Sequence, residues 1–165
     1  MPRRSLSVPP LGVVVAAAGG VVTMALVAWL FVRPSDAPAL APVNSEIGAP
    51  AAELAVVDGD TLRLGRQVVR LNGIAAPARG TDCGSVDCGA AAANALSALI
   101  AGHAVECRIE GHDPQGRPLG TCHASGVQLN EALVRDGWAH AIAAGLRQTE
   151  DDARKAGRGI WRNGV

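Results

Sequence analysis

The sequence has no tyrosine and a single phenylalanine, and aromatic residues make up 2% of the whole chain. Proteins that hold single-stranded nucleic acid usually stack bases on aromatic side chains and follow the phosphate backbone with basic ones. From residue 46 onward the chain has 12 Lys and Arg against 14 Asp and Glu, a net charge of −2, and its aromatic residues are Trp138 and Trp161. The composition therefore argues against a typical nucleic-acid-binding surface.

Charged residues are also absent from one long stretch, the 22 residues at positions 11–32. A helix needs about 20 apolar residues to cross the hydrocarbon core of a bilayer, so this stretch predicts a single transmembrane helix over 11–32. Arg3 and Arg4 precede it, and the positive-inside rule then places residues 1–10 in the cytoplasm. The rest of the chain is expected on the outer side of the membrane.

A cleaved signal peptide is the alternative for this stretch. Its apolar region would be about 7–15 residues long, which is shorter than the one here, although positions 37–39 and 39–41 offer small-residue patterns for a peptidase. Both interpretations place the C-terminal part of the chain outside the cytoplasm. Residues 33–50 contain four prolines and no apolar periodicity, which predicts a semi-rigid linker before a folded domain at 51–165.

Alternating apolar runs, an alanine-rich run and turn residues predict the elements of this domain. The expected strands are 53–57, 61–64, 67–74, 104–110 and 119–124, and the expected helices are 90–101, 129–136 and 149–156. Five short antiparallel strands with a helix between the third and the fourth are compatible with an OB-fold barrel. The predicted fold class is therefore mainly β with three helices (α+β), a five-stranded OB-fold barrel behind a single transmembrane helix.

Four cysteines lie in the part of the chain that is expected outside the membrane. Their spacings of C-x4-C and C-x14-C fit zinc ligands poorly, whereas an even number in an oxidising compartment predicts two disulfides. The sequence leaves three connectivities open. Cys107 and Cys122 lie on two strands that flank one turn, which favours the pairs Cys107–Cys122 and Cys83–Cys88.

Five sequence motifs run through the domain in one order: VVDGDTLRL, VRLNGIAAPA, DPQGRPLG, LNEALVRDGWA and GIW. In order and spacing they resemble the thermonuclease family, the staphylococcal-nuclease-like domains, over nearly the whole of residues 53–161. LNEALVRDG is the most specific of them. The cysteine-containing loop and the predicted location outside the cytoplasm resemble the membrane-attached bacterial branch of that family. This resemblance implies a single-pass protein of a bacterial inner membrane, with its C-terminal domain facing the periplasm or the cell exterior.

The resemblance also implies an activity, the Ca²⁺-dependent hydrolysis of phosphodiester bonds in DNA and RNA. That chemistry needs oxygen ligands for a hard cation, a carboxylate as general base, and arginines that neutralise charge on the phosphate. By its position in the motifs, Asp60 corresponds to a metal ligand of the family. Arg70 and Arg117 correspond to its two phosphate-binding arginines.

Three further positions of the family pattern carry alanine here. The family's R-L-x-x-I-D-x-P-E motif has its aspartate at Ala75, its next residue at Ala76 and its glutamate at Ala78. The second metal carboxylate and the general base are therefore absent together. Asp60 alone would hold Ca²⁺ weakly, and the loss of a general base typically lowers a rate by ~10²–10⁴-fold. Asp82 is the candidate substitute for the missing carboxylates.

The sequence therefore predicts a membrane-anchored thermonuclease-like domain with impaired catalysis, acting as a binding or scaffold module. No cofactor is expected, apart from Ca²⁺ for any residual activity of the family type. One alternative is a divergent metal-dependent nuclease that acts on DNA or RNA, and another is a structural envelope module without nucleic-acid contact. The membrane is the expected partner, nucleic acid is weakly supported as a second one, and a protein partner is left open.

Overall fold

The computed structural model describes residues 40–162. In this range the strands are β1 (Glu46–Ala49), β2 (Leu54–Asp58), β3 (Thr61–Leu64), β4 (Gln67–Leu71), β5 (Ile74–Ala75), β6 (Asp82–Cys83), β7 (Val86–Asp87), β8 (Val105–His112), β9 (Pro118–Ala124), β10 (Val127–Gln128) and β11 (His140–Ala141). The α-helices of the same range are α1 (Cys88–Ile100), α2 (Leu129–Arg135) and α3 (Arg147–Lys155). Short 3₁₀ turns cover Ala51–Glu53, Ala144–Leu146 and Gly159–Trp161. The fold is mixed α+β, as the sequence predicts.

The main sheet has the strand order β1-β8-β9-β4-β3-β2, and β10 adds to β9. Neighbouring strands are antiparallel except for β4 and β9, which run parallel with Arg70 beside Leu119. The expectation of purely antiparallel strands is wrong at this pair. After β4 the chain passes through α1 and then β8. The next strand, β9, runs antiparallel to β8 and therefore lies beside β4 in the same direction.

The sheet is strongly curled but is not closed by a ladder between its edges. Ala49 ends one edge strand and Leu54 begins the other. Five residues span at most about 18 Å, whereas six flat strands would separate the two edges by about 24 Å. The edges must therefore bend towards each other, and β1 does contact β3. Within residues 40–162 no ladder joins β1 to β2, so the predicted five-stranded OB-fold barrel is observed as an open, OB-like sheet.

Three local features differ from the predicted elements. The expected strand 67–74 is interrupted at Gly73, which has a positive φ of 74°, and β5 continues after it. The expected irregular loop after β5 contains the hairpin β6–β7. The strand β1 lies inside the segment 33–50 that was expected to be a linker. Its single large apolar residue, Ile47, gives no period-2 pattern, and the strand owes its existence to pairing with β8.

Both predicted disulfides are confirmed by the structure. Buried and exposed residues alternate along β8, so Cys107 faces the core, and its register partner on β9 is Cys122. The two are bonded, and both are almost fully buried. Cys83 and Cys88 are bonded as well, which ties the β6–β7 hairpin to the first turn of α1. The chain-entropy model gives about 3 kcal/mol for a loop as long as the one between Cys107 and Cys122.

Helix α1 begins at Asp87, whose carboxylate accepts hydrogen bonds from the N–H groups of Ala90 at 2.8 Å and Gly80 at 3.1 Å. These bonds lower the pKa of Asp87, with the bond from Ala90 as the main cause. Gly89 lies in the first turn of the helix, where a side chain would collide with the backbone of Ala78. The cap and the glycine therefore fix the loop that carries Ala78 against the start of α1.

Helix α2 is tied to the seam between β4 and β9 by Asn130, whose side chain is 3% exposed. Its Oδ1 accepts from the Cys122 N–H at 3.0 Å, and its Nδ2 donates to the carbonyls of Asn72 at 2.8 Å and Gly120 at 3.0 Å. A buried amide with all of these bonds made is a strong local constraint, because each lost partner would leave a buried polar group unpaired.

No helix among residues 40–162 is long and apolar enough to cross a bilayer. The transmembrane helix that the sequence predicts over 11–32 lies outside the described residues.

Candidate functional site

Asp60 lies in the turn between β2 and β3, and only 3% of it is exposed. Its Oδ1 accepts the hydroxyl of Thr61 at 2.8 Å. Its Oδ2 accepts the guanidinium of Arg70 at 2.8 Å and the N–H of Ala76 at 3.1 Å. Both carboxylate oxygens are therefore already engaged by donors from β3, β4 and the residue after β5.

The backbone places Arg70 beside this carboxylate. In the β3–β4 ladder Arg70 is the register partner of Thr61, the neighbour of Asp60. The N–H of Leu71 also donates to the carbonyl of Asp60 at 2.8 Å. The guanidinium is 29% exposed and the carboxylate 5%, so the pair is largely removed from solvent. Arg70, which the resemblance makes a phosphate-binding arginine, is thus paired with Asp60 in the structure.

These residues do not fit a calcium site of the kind that the family resemblance implies. Ca²⁺ takes six to eight oxygen ligands. Here Asp60 faces an arginine and two further donors, and Ala75 and Ala76 carry no side-chain oxygen. Across residues 40–162 no group of three or more His, Cys, Asp or Glu is arranged to hold a metal ion. A cation at Asp60 would have to displace Arg70 and would gain few other ligands.

Arg117 lies at the end of the turn between β8 and β9 and pairs with Asp113 of the same turn. Its Nε donates to Asp113 Oδ2 at 2.6 Å, and its backbone N–H donates to Oδ1 at 2.8 Å. Burial raises the pKa of Asp113 and is the largest single effect. The bonds from the Arg117 backbone and guanidinium together outweigh it and hold that pKa below its ordinary value of 3.8.

The two arginines lie at the same end of the sheet. Arg70 is beside Leu119 in the parallel ladder, two residues after Arg117. Arg117 is 37% exposed, somewhat more than Arg70. An anion that approached this end of the sheet would therefore meet one guanidinium committed to a buried carboxylate and one held by a turn.

The alanines of the motif border a cavity of about 350 Å³. Its lining includes Ala75, Ala76, Asp82, His140 and Trp161. The structure thus brings Asp82, the candidate substitute carboxylate, to the same cavity as two of the alanines. No local signal in the sequence places His140 and Trp161 at this cavity, because β5 and β11 pair across segments that are far apart in the chain.

A further cluster that sequence reasoning missed supports this cavity. Glu150 on α3 accepts His140 Nδ1 at 3.2 Å, the Ala141 N–H at 3.2 Å and the Arg154 guanidinium at 3.2 Å. Arg154 also lies over the ring of Trp161, 4.3 Å from its centroid. The negative charge of Glu150 at the first turn of a predicted helix was visible in the sequence, but its partners were not.

The curled mixed sheet, the helix before β8 and the paired arginines define an OB-like α+β domain of the nuclease type. The family model described as "Staphylococcal nuclease homologue" matches residues 68–163, more than half of the chain, and the chain therefore belongs to this family. It is also similar to the succinoglycan biosynthesis protein ExoI of Rhizobium meliloti (strain 1021), with 33% identity over 124 residues. That match covers 67% of this chain and 63% of the relative.

Proposed function

We propose that this protein is a membrane-anchored, extracytoplasmic domain of the staphylococcal nuclease family whose hydrolytic activity is strongly impaired, and that it acts as a binding or scaffold module. The observation that carries the proposal is the state of Asp60. Its two oxygens accept three hydrogen bonds, one of them from Arg70, so the carboxylate serves the fold rather than a cation. The carboxylates that the family pattern has at positions 75 and 78 are both replaced by alanine.

The size of the missing catalytic contributions supports a large loss of hydrolytic rate rather than a small one. A general base typically contributes ~10²–10⁴-fold to a rate, and the position that would supply it is Ala78. Positioned charge on the phosphate contributes a comparable factor, and here Arg70 is held by Asp60. Both contributions are reduced in the same chain, so we expect a rate loss at least as large as that for either one alone.

Anchoring and export rest on two independent observations. Residues 11–32 form an uncharged stretch long enough to span a bilayer. The disulfides Cys83–Cys88 and Cys107–Cys122 are typical of an oxidising compartment, such as the periplasm or the cell exterior. On these grounds we propose a location in a bacterial inner membrane, with the domain on the outer side.

A divergent metal-dependent nuclease is the second candidate, and one observation favours it. Asp82 is exposed and lines the same cavity as Ala75 and Ala76, where a carboxylate could reach a ligand. A structural envelope module without nucleic-acid contact is the third. The relative whose name assigns it to succinoglycan biosynthesis favours a non-degradative role of this kind.

The decisive experiment tests for cleavage of single-stranded DNA by the full chain, purified in detergent with its disulfides intact. Reactions contain Ca²⁺, Mg²⁺, Mn²⁺ or EDTA, and we expect no metal-dependent cleavage above the EDTA background. Arg70→Ala is compared with Arg63→Ala, an exposed arginine of the neighbouring strand β3. Metal-dependent cleavage that disappears in Arg70→Ala and persists in Arg63→Ala would refute the proposal, and its further loss in Asp82→Asn would establish the second candidate.

A binding titration separates the remaining candidates. Single-stranded DNA is titrated against the full chain at several salt concentrations, because contacts with phosphates produce a strong salt dependence. The net charge of −2 beyond residue 45 leads us to expect no binding at about 0.15 M salt. Tight, salt-dependent binding without cleavage would make the domain a nucleic-acid module instead.

A further inference from the structure

The cavity beside β5 has the size and the layering of a small-molecule site. Its volume of about 350 Å³ falls within the range of ligand pockets, which is roughly 300–1,000 Å³. Ile160 and Trp161 form a buried floor, each 7% exposed. Ala75 and Pro77 are half-buried walls, and their short side chains leave the space open. A ring-sized apolar group would fill this space and leave its substituents at the mouth.

The mouth of the cavity is polar. Thr81, Asp82 and His140 line it and are exposed. The imidazole of His140 is held in place from two sides, because its Nδ1 contacts Glu150 Oε1 at 3.2 Å and its ring packs edge-on against Trp161 with centroids 5.0 Å apart. This leaves Nε2 as the ring nitrogen available to a ligand. The oriented imidazole and the two oxygen-bearing side chains give the mouth a fixed set of hydrogen-bonding groups.

The charge around the cavity selects among ligands. Among the described residues that line it, Asp82 is the only aspartate, glutamate, lysine or arginine. The guanidinium of Arg154, which is close to the floor, lies over Trp161 at 4.3 Å and pairs with Glu150. A phosphate or carboxylate would therefore be repelled by Asp82 and would find no free cation among the described residues of the lining, whereas an ammonium would be attracted.

We propose that this cavity binds small molecules with a cationic amino group on an apolar ring, of the arylalkylamine class. The ring occupies the space above Ile160 and Trp161, and the ammonium lies at Asp82. This proposal rests on the binding role proposed above and names the ligand class for that role. It involves neither Asp60 nor Arg70, and Asp82 is the residue that it shares with the second candidate function.

The test uses three benzyl compounds of similar size and different charge: benzylamine, benzyl alcohol and benzoate. Binding to the full chain is monitored through the indole N–H resonance of Trp161, assigned with Trp161→Phe. A fragment of this size is expected to bind with a Kd of about 1 mM. Because Asp82 is exposed, we expect benzylamine to bind roughly two- to fivefold more tightly than benzyl alcohol, and benzoate to bind most weakly.

Two variants and one control locate the site. Ala75→Leu fills the cavity and should weaken benzylamine binding by more than about tenfold. Ala104→Leu makes the same change at an exposed position on another face, outside the cavity lining, and should bind like the unaltered chain. Asp82→Asn, an exposed change that does not threaten the fold, should abolish the preference for benzylamine over benzyl alcohol.

The results that would overturn the proposal are distinct from a failure of the proposed function. The proposal is overturned if none of the compounds shifts the Trp161 resonance, or if all three bind with equal affinity. It is also overturned if Asp82→Asn still prefers benzylamine to benzyl alcohol. If Ala75→Leu does not fold, the proposal is still tested by the affinities of the three benzyl compounds and by Asp82→Asn. The cleavage assay is run on the same preparations. Metal-dependent cleavage that persists in Asp82→Asn would refute impaired catalysis without bearing on the cavity, and a failure of the benzyl series would leave the cleavage result unchanged.

Discussion

Arg70 and Arg117 both pair with an aspartate, yet the two pairs have different structural roles. The Asp60–Arg70 pair, at 2.8 Å, joins residues ten positions apart, and Asp60 also accepts a hydrogen bond from the N–H of Ala76. The Asp113–Arg117 pair, at 2.6 Å, closes a single turn between residues four positions apart. The first pair connects β3, β4 and the end of β5, whereas the second organises only the loop that contains it.

If hydrolysis is impaired as we propose, this difference would explain how the chain keeps both family arginines without their catalytic role. An arginine that binds a phosphate must be free to turn towards it. Arg117 can rotate away at modest cost, because Asp113, although only 8% exposed, keeps the backbone N–H bonds of Gln115 and Arg117 within its own turn. Arg70 can do so only by leaving a carboxylate that is 5% exposed, and an uncompensated buried charge is expensive. Changes at the two aspartates should therefore have unequal effects on stability.

The largest effect is expected for Asp60→Ala. The change removes three accepted hydrogen bonds and leaves Arg70 without its partner, so the free energy of unfolding should fall by about 3 kcal/mol, the lower end for a broken buried pair because Arg70 is partly solvated. Urea unfolding of the oxidised chain measures it. Asp58→Ala, in the same turn, is the control, because its buried Oδ1 has no partner among the described residues. Equal losses for the two variants would contradict a special role of Asp60.

A smaller effect is expected for Asp113→Ala. The turn loses the Arg117 pair and two backbone hydrogen bonds, but water can reach most of the groups that are released. We expect a loss of about 1 kcal/mol in the free energy of unfolding. The same urea experiment measures it beside Asp60→Ala. If both aspartates contribute equally, the proposed contrast between a long-range and a local pair is wrong.

The sequence is informative where the physics is local, and Asp113 is an example. The Asp-Pro-Gln-Gly run predicts the turn, and the period-2 alternation predicts that Cys107 and Cys122 face each other across it. By contrast, nothing local signals the parallel pairing of β4 with β9 or the buried Asn130 that spans it. The same limit applies to the candidate site. The alanines are visible in the sequence, but the hydrogen bonds that saturate Asp60 depend on where three separate elements meet.

The pH dependence of stability gives a third and smaller test. The pKa of Asp113 is lowered in the folded protein, so its charged form stabilises the fold. That contribution is fully present above the unfolded value near 3.8 and is lost as the pH falls through the lower folded value. In Asp113→Asn, the free energy of unfolding should therefore fall less steeply as the pH is lowered through the acidic range.

Two other carboxylates titrate with the same sign and remain in the variant. Hydrogen bonding lowers the pKa of Asp87, mainly from Ala90, and that of Glu110, mainly from Asn72. Acid unfolding between about pH 2 and pH 6 should therefore keep part of its slope in Asp113→Asn. An unchanged curve would mean that Asp113 and Arg117 do not interact in solution.

The smallest expected effect is that of calcium. If Asp60 remains bonded to Arg70, Ca²⁺ must compete with a guanidinium for a single carboxylate, and so few oxygen ligands imply a dissociation constant above about 10 mM. At one tenth of that concentration the stabilisation is about 0.06 kcal/mol, a Tm shift below roughly 0.5 °C. Thermal unfolding with Ca²⁺ and with EDTA measures it. A Tm increase of several degrees that EDTA reverses would show that Ca²⁺ displaces Arg70 from Asp60. The proposed difference between the Arg70 and Arg117 pairs would then be wrong.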